Sequence, residues 1–278
     1  SGFGLVPLMP QFGLPPIAGM AIGTLLGGFG QGFLQWMALR KQGYRYRLLL
    51  NPRDSGLQEV LRLMGPGTLG LAAVQINLLV NSILATGEGT GAVSWLSYAF
   101  RLMYLPIGLF GVSIATASLP QFSRMAALEN TTDMRKMISS SLRLMMMLNV
   151  PAAVGLMVLA TPIIAVIFER GSFTSTDTAA TAAALQCYAP GLIGYSTVKI
   201  TAPIFYAMRD SRTPALISGI AVALNLVLNL TLVRIMGYQG LALGTAIAAI
   251  ANALILMILL HRRLDGIDGA RLGITFIK

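Results

Sequence analysis

Residues 235–260 read IMGYQGLALGTAIAAIANALILMILL, and this stretch decides the fold. It carries no Asp, Glu, Lys or Arg over twenty-six positions. A helix needs about 20 apolar residues to cross the hydrocarbon core of a bilayer. The stretch lacks the period of two that a barrel strand requires, so it predicts a membrane-crossing helix. Five further runs are equally free of charge: Leu14 to Leu39, Gly65 to Gly87, Leu144 to Phe168, Thr178 to Val198 and Thr213 to Val233. A seventh, Gly89 to Phe122, is interrupted only by Arg101. Across 278 residues, 55% are hydrophobic and 11% charged, with a mean hydropathy of +0.72. Soluble domains carry about a quarter charged residues, so this chain could not cover its own surface in water. The expected class is all-α, a polytopic bundle of membrane helices.

The net charge of +10 is distributed by loop. Alternate connections carry six, four, two and four basic residues, against none, none, one and one in the loops between them. The rich set holds Arg40, Lys41, Arg45, Arg47, Arg53 and Arg62, then Arg124 to Arg143, then Arg209 and Arg212, then Arg262 to Lys278. Positive charge favours the cytoplasmic side. The first span is therefore expected to run inward and the C-terminal end to lie in the cytoplasm. Basic charge without an accompanying recognition module points away from nucleic acid. Ser55 to Met64 places Leu57, Val60, Leu61 and Met64 on one face and predicts an amphipathic helix at the interface. The start at Ser1 and the odd span count lead to the expectation of a piece of a larger transporter-sized protein.

Two cations fall within the apolar spans, Arg101 and Lys199, and no acidic residue does. A charge at mid-membrane costs about 2.5–3.5 kcal/mol on insertion scales and marks a pathway or a partner. Water, a segment outside this chain or an anionic ligand could each neutralise the pair, and snorkelling to an interface is the plainer alternative. Helix breakers surround them: Pro106 after Arg101, Pro190-Gly191 before Lys199 and Pro203 after it. Broken helices line cavities in transporters. Asn77 and Asn81 lie four apart, as do Asn225 and Asn229, with Thr245 beside Gly244 on the last span. Such amides glue helices together or line a polar cavity. Gly240, Gly244 and Ala248 form a small-residue packing ridge. Chemistry of other kinds has little to stand on. Cys187 is the single cysteine and His261 the single histidine, which rules out an internal disulfide and a Cys/His metal cluster. No nucleophile–histidine pair or phosphate loop is present, so an enzyme is not expected.

Three stretches carry a resemblance: Trp95 to Arg124, WLSYAFRLMYLPIGLFGVSIATASLPQFSR; Ile167 to Asp177, IFERGSFTSTD; and Pro203 to Pro214, PIFYAMRDSRTP. Together they resemble the MurJ/MviN lipid II flippases of the multidrug/oligosaccharidyl-lipid/polysaccharide (MOP) exporter superfamily, and the resemblance covers almost the whole chain. It implies a bacterial inner-membrane protein with two six-helix lobes around a central cavity. It further implies transport of an undecaprenyl-diphosphate-linked peptidoglycan precursor. On that basis the chain is similar to the sixth through twelfth of fourteen spans. Residues 1–39 are then an extracytoplasmic lead-in and the last span of the N-terminal lobe. Residues 40–64 are a cytoplasmic basic loop with its amphipathic helix, 65–262 a six-span C-terminal lobe, and 263–278 a cytoplasmic linker. The implied partners are the anionic lipid-linked substrate, membrane lipids and the rest of the N-terminal lobe. Arg101, Lys199, Tyr98 and Asn77 are the implied substrate-binding residues. Some members bind sodium, and the positions matching that site are Asn81, Asn225, Asn229, Leu241 and Thr245. Asn81 and Asn229 stand where those members have carboxylates, and Phe100 replaces an acidic residue of some relatives. A drug/cation antiporter, a flippase for another polyprenyl-linked sugar and a non-transporting scaffold of wall synthesis are the rival readings.

Overall fold

A computed structural model of the chain describes residues 16–43, 55–128, 131–264 and 266. Every element among them is helical. The lead-in, residues 44–54 of the basic loop and most of the C-terminal linker lie outside the described residues. The chain divides into two compact units, residues 1–55 and 56–278. In the first, helix α1 spans Pro16–Lys41 and ends on Arg40 and Lys41, where cations suit the carbonyl end of the helix. Arg40 also lies 5.2 Å over the ring of Trp36.

The second unit begins with α2, Ser55–Thr86. Here the structure corrects the sequence reading. The separate amphipathic helix expected at 55–64 runs without interruption into the following span, so the boundary placed at 64/65 falls inside one helix. Gly65-Pro66-Gly67 does not end the helix. A tight turn follows, with Gly89 and Gly91 at φ of +111° and +107°. The indole of Trp95 closes over Gly91, where a Cβ would fall 2.7 Å from the ring.

Helix α3, Ala92–Pro106, leads into a π-helical turn, Ile107–Val112, and then α4, Ser113–Ala127. The three make one apolar rod from Ala92 to Ala127. Pro106 has no N–H to give the ladder, and the hydrogen bonding widens directly after it. Helix α5 spans Thr131–Val158 and bends at Leu159 into α6, Ala160–Phe168. The span expected at 178–198 is two helices, α7 (Ser175–Tyr188) and α8 (Gly191–Ala207), separated at Ala189-Pro190. Pro203, expected to break a helix, lies inside α8. A membrane helix tolerates proline where neighbouring groups re-satisfy its backbone. Helices α9 (Arg212–Met236) and α10 (Tyr238–Arg263) form an antiparallel hairpin closed at Gly237, whose φ is +61°. Among the described residues, four helical stretches have the length and apolarity of membrane spans: 92–127, 131–158, 212–236 and 238–263.

Helix α10 packs against α9, α8 and α7. Small residues let the backbones approach. A Cβ on Gly240 would lie 2.3 Å from the Leu232 carbonyl oxygen, and one on Gly194 would lie 2.6 Å from the backbone of Ala249. The ridge of Gly240 and Gly244 is thus a packing surface, as the sequence predicts. Two apolar cores stack along the bundle. One gathers Leu96, Met103, Ile164, Leu185 and Leu241. The other gathers Phe122, Ile138, Met145, Ile204, Phe205 and Leu256.

Candidate functional site: a basic, aromatic-lined helix face

On α3 the buried positions are Ala92, Leu96, Ala99, Leu102 and Met103, which follow the helical period into the core. The opposite face presents Ser94, Ser97, Arg101 and Tyr104, all exposed. Arg101 lies within an apolar span yet on the open surface of the lobe, and is not enclosed by it. Its guanidinium carbon is 6.0 Å from the centre of the Tyr98 ring. At that distance the ring's negative face favours a cation. Tyr98 is itself wedged, with Phe168 at 4.7 Å and Phe173 edge-on at 5.6 Å. Two of the expected substrate-binding residues, Arg101 and Tyr98, are therefore neighbours.

Lys199 is exposed on α8, four residues beyond Tyr195. The link between its helix and α3 is aromatic. Phe100 touches Tyr195 at 6.1 Å and Tyr188 at 5.6 Å, both edge-on, and Tyr104 at 5.8 Å. Tyr104 and Tyr195 were not singled out by the sequence reading. The available signal was spacing: Tyr104 follows Arg101 by three residues and Tyr195 precedes Lys199 by four, each on a shared helix face. Asn77 does not join this group. It is half-buried on α2, and its Oδ1 has no hydrogen-bond partner.

The remaining polar candidates assemble elsewhere. Asn229 donates its amide protons to Asn81 Oδ1 on α2 and, at 2.9 Å, to Asn225 Oδ1. Asn225 Nδ2 donates to Thr245 Oγ1 at 3.3 Å, and Thr245 donates to the Leu241 carbonyl at 2.8 Å. All five positions implied for a sodium site are thus brought together by α2, α9 and α10. The donor set does not fit a cation as it stands. Asn81 and Asn225 already accept amide protons, and the Oδ1 of Asn229 is buried against Gly244. Among the described residues no cluster of three Asp, Glu, His or Cys side chains exists to supply charge. The amides bond side chain to side chain across α2, α9 and α10, the helix-gluing role open to buried amides, and leave one buried acceptor, the Oδ1 of Asn229, without a hydrogen-bond partner.

The loops at either end are pinned by carboxylates. Asp177 accepts from Thr174 N–H, Trp95 Nε1–H and Thr174 Oγ1–H, all at 2.8 Å. The Thr174 backbone bond, then those from Trp95 and the Thr174 hydroxyl, hold its pKa below the ordinary carboxylate value. Burial alone would raise the Asp210 carboxyl. Hydrogen bonds from the Thr213 hydroxyl and backbone, with Arg263 bonded and paired to it, bring it below the ordinary value instead.

An all-helical bundle with membrane-length apolar helices, which leaves two cations, Arg101 and Lys199, exposed, defines a polytopic membrane protein. Comparison places it among relatives. The family model described as lipid II flippase MurJ matches residues 3–278, and the chain belongs to that family. It is 38% identical over 249 residues to a probable lipid II flippase MurJ of Vibrio cholerae, covering 90% of this chain and 47% of that protein. It is 33% identical over 252 residues to the lipid II flippase MurJ of Burkholderia cenocepacia, covering 89% and 49%. A solved structure titled lipid II flippase MurJ, inward closed conformation, matches 94% of this chain and 54% of its own at 27% identity and a TM-score of 0.68. A multidrug resistance MATE family transporter of the MOP superfamily, 16% identical with a TM-score of 0.63, shares the fold. The chain spans about half the length of the curated relatives it matches.

Proposed function

We propose that this chain forms the carboxy-terminal lobe of a lipid II flippase, one half of a cavity that moves an undecaprenyl-diphosphate-linked precursor from the inner to the outer leaflet. Arg101, open on the lobe surface and seated over Tyr98, carries the reading. A guanidinium bonds phosphate oxygens in bidentate fashion, and its two-point grip suits a diphosphate. Lys199 adds a second cation on the neighbouring helix. The polyprenyl tail stays in lipid while the headgroup meets this face. The two lobes rock about it in alternating access, with the opposing half supplied by residues outside this chain. The basic loops face the cytoplasm and the membrane is the bacterial inner membrane, with the end of α10 inside. The amide ladder holds α2 to the hairpin, and no step of this cycle runs through an ion at that place.

The test is genetic. A protein of the relatives' full length carrying this chain is expressed in cells depleted of their own lipid II flippase, with Arg101→Ala beside it. Growth on the unmodified protein and none on Arg101→Ala at equal membrane abundance is the expected result. Full growth on Arg101→Ala makes the arginine structural. Absence of growth with the unmodified protein moves the transported headgroup to another polyprenyl-linked sugar.

A further inference from the structure

We propose that Tyr104 and Tyr195 form a neutral hydrogen-bonding step between Lys199 and Arg101, so that the anionic headgroup, entering from the cytoplasmic side, passes from ammonium to phenol to guanidinium along the lobe. The inference rests on the reading above only in taking a lipid-linked diphosphate as cargo. Helices α3 and α8 run in the same direction, since Phe100 meets Tyr188 and Tyr195 while Gly111, further along, lies against Ser196. Phe100 holds both tyrosines, one ring tilted by 33° and the other edge-on at 82°. Tyr104 lies three residues after Arg101, about 4.5 Å of helix rise, and Lys199 lies four residues after Tyr195, about 6 Å. The order along the lobe is therefore Lys199, the two phenols, then Arg101.

The chemistry suits a handover. A phenol is uncharged until about pH 10 and donates one hydrogen bond. Tyr104 is 40% exposed, and Tyr195 is partly buried beside it. Two cations alone would make two deep wells with a barrier between them. Passage needs sites that bind well enough to accept the ligand and weakly enough to release it. Neutral donors between the charges lower that barrier without making a third well. Phe100 packs against both rings and holds the two tyrosines beside one another.

The experiment compares the unmodified protein, of the relatives' full length, with Tyr104→Phe, Tyr195→Phe and the double variant. Phenylalanine keeps each ring and its packing on Phe100 and removes only the hydroxyl, and an unchanged thermal midpoint confirms the fold. The probe is fluorescent undecaprenyl diphosphate in phosphatidylcholine vesicles, read for both binding and transfer between leaflets. The expected result is a transfer rate lowered about tenfold or more in the double variant, with probe affinity held within about twofold, as loss of hydrogen bonds to a charged group predicts. A double variant at the unmodified rate overturns the proposal. So does an equal fall in rate and affinity, which would make the phenols part of the Arg101 binding site, and so does an unmodified protein that leaves the probe in place. The probe carries no sugar. A protein that moves it in a phenol-dependent way but fails to support growth removes lipid II as cargo and leaves the phenol step standing.

Discussion

Asp177 shows how much one side chain can fix. It receives the indole of Trp95 from α3 and caps the start of α7 through Thr174, so it ties two loops at one end of the lobe. Asp177→Asn keeps the shape and removes the charge that those donors favour. Its folded pKa lies below the unfolded value of about 3.9. The stabilisation is therefore whole above about pH 4 and is lost as pH falls through the folded value. Thermal melts in detergent should show the variant below the unmodified protein at neutral pH, with the gap closing at acid pH. A gap that stays constant into strong acid would assign the effect to something other than this carboxylate. Asn229 gives a second case. Asn229→Leu strips Asn81 and Asn225 of a shared donor, and unpaired buried acceptors cost about 1–3 kcal/mol each. A melt unchanged by that substitution would show that the amide ladder adds nothing to stability.

What could be read in the sequence at this scale was residue type and isolation. Arg101 and Lys199 stood out because a lone cation in an apolar run is costly. The amide spacing of four placed Asn225 and Asn229 on one face, and the structure joins them to Asn81 and Thr245. Tyr104 and Tyr195 did not stand out, because tyrosine in a membrane helix is usually an interfacial or packing residue. Only the contact with Phe100, ninety-odd residues from Tyr195 in sequence, gives them a shared role.

At the scale of elements, the glycines separate close crossings from open helix. A Cβ on Gly194 would meet the backbone of Ala249 at 2.6 Å, which cannot swing aside. One on Gly111 would meet Ser196 at 3.1–3.3 Å, which demands a small shift, and one on Gly155 would meet nothing within 4 Å. Alanine at these positions should therefore destabilise in the order 194, 111, 155. Overpacking at the first should cost about 1–3 kcal/mol. The last should gain up to about 1 kcal/mol of helix propensity. Equal melts for all three would refute the crossing as drawn. Element boundaries were the least legible part of the sequence. Charge marks where a span meets water, so the turns at 87–91 and 208–211 were found. The bend at Leu159 involves no charge; Pro162, three residues on, has no N–H for the Val158 carbonyl, and a proline in an apolar run does not by itself say whether the span bends there or continues, as α8 does through Pro203.

For the whole molecule, orientation follows from the loops. In a background with Cys187 replaced by Ala, Ser172→Cys should react with a membrane-impermeant thiol reagent on intact spheroplasts. Leu128→Cys should react only after permeabilisation. Both residues are exposed at opposite loop ends of the bundle. The reverse pattern would invert the topology and place the basic loops outside. The bundle class was plain from hydropathy, since a chain with so little charge has few other folds available.

The π-helical turn at Ile107–Val112 has one more consequence. Each residue turns an α-helix by about 100°. A wide turn holds a residue that a regular helix would not need. The widening absorbs that residue, so the two ends of the rod keep nearly the phase of an uninterrupted helix. Deleting Leu109 should heal the turn into plain α-helix and leave Arg101 on the face it now occupies. The turn is a store of slack in the rod: one residue can leave it without turning the cation away.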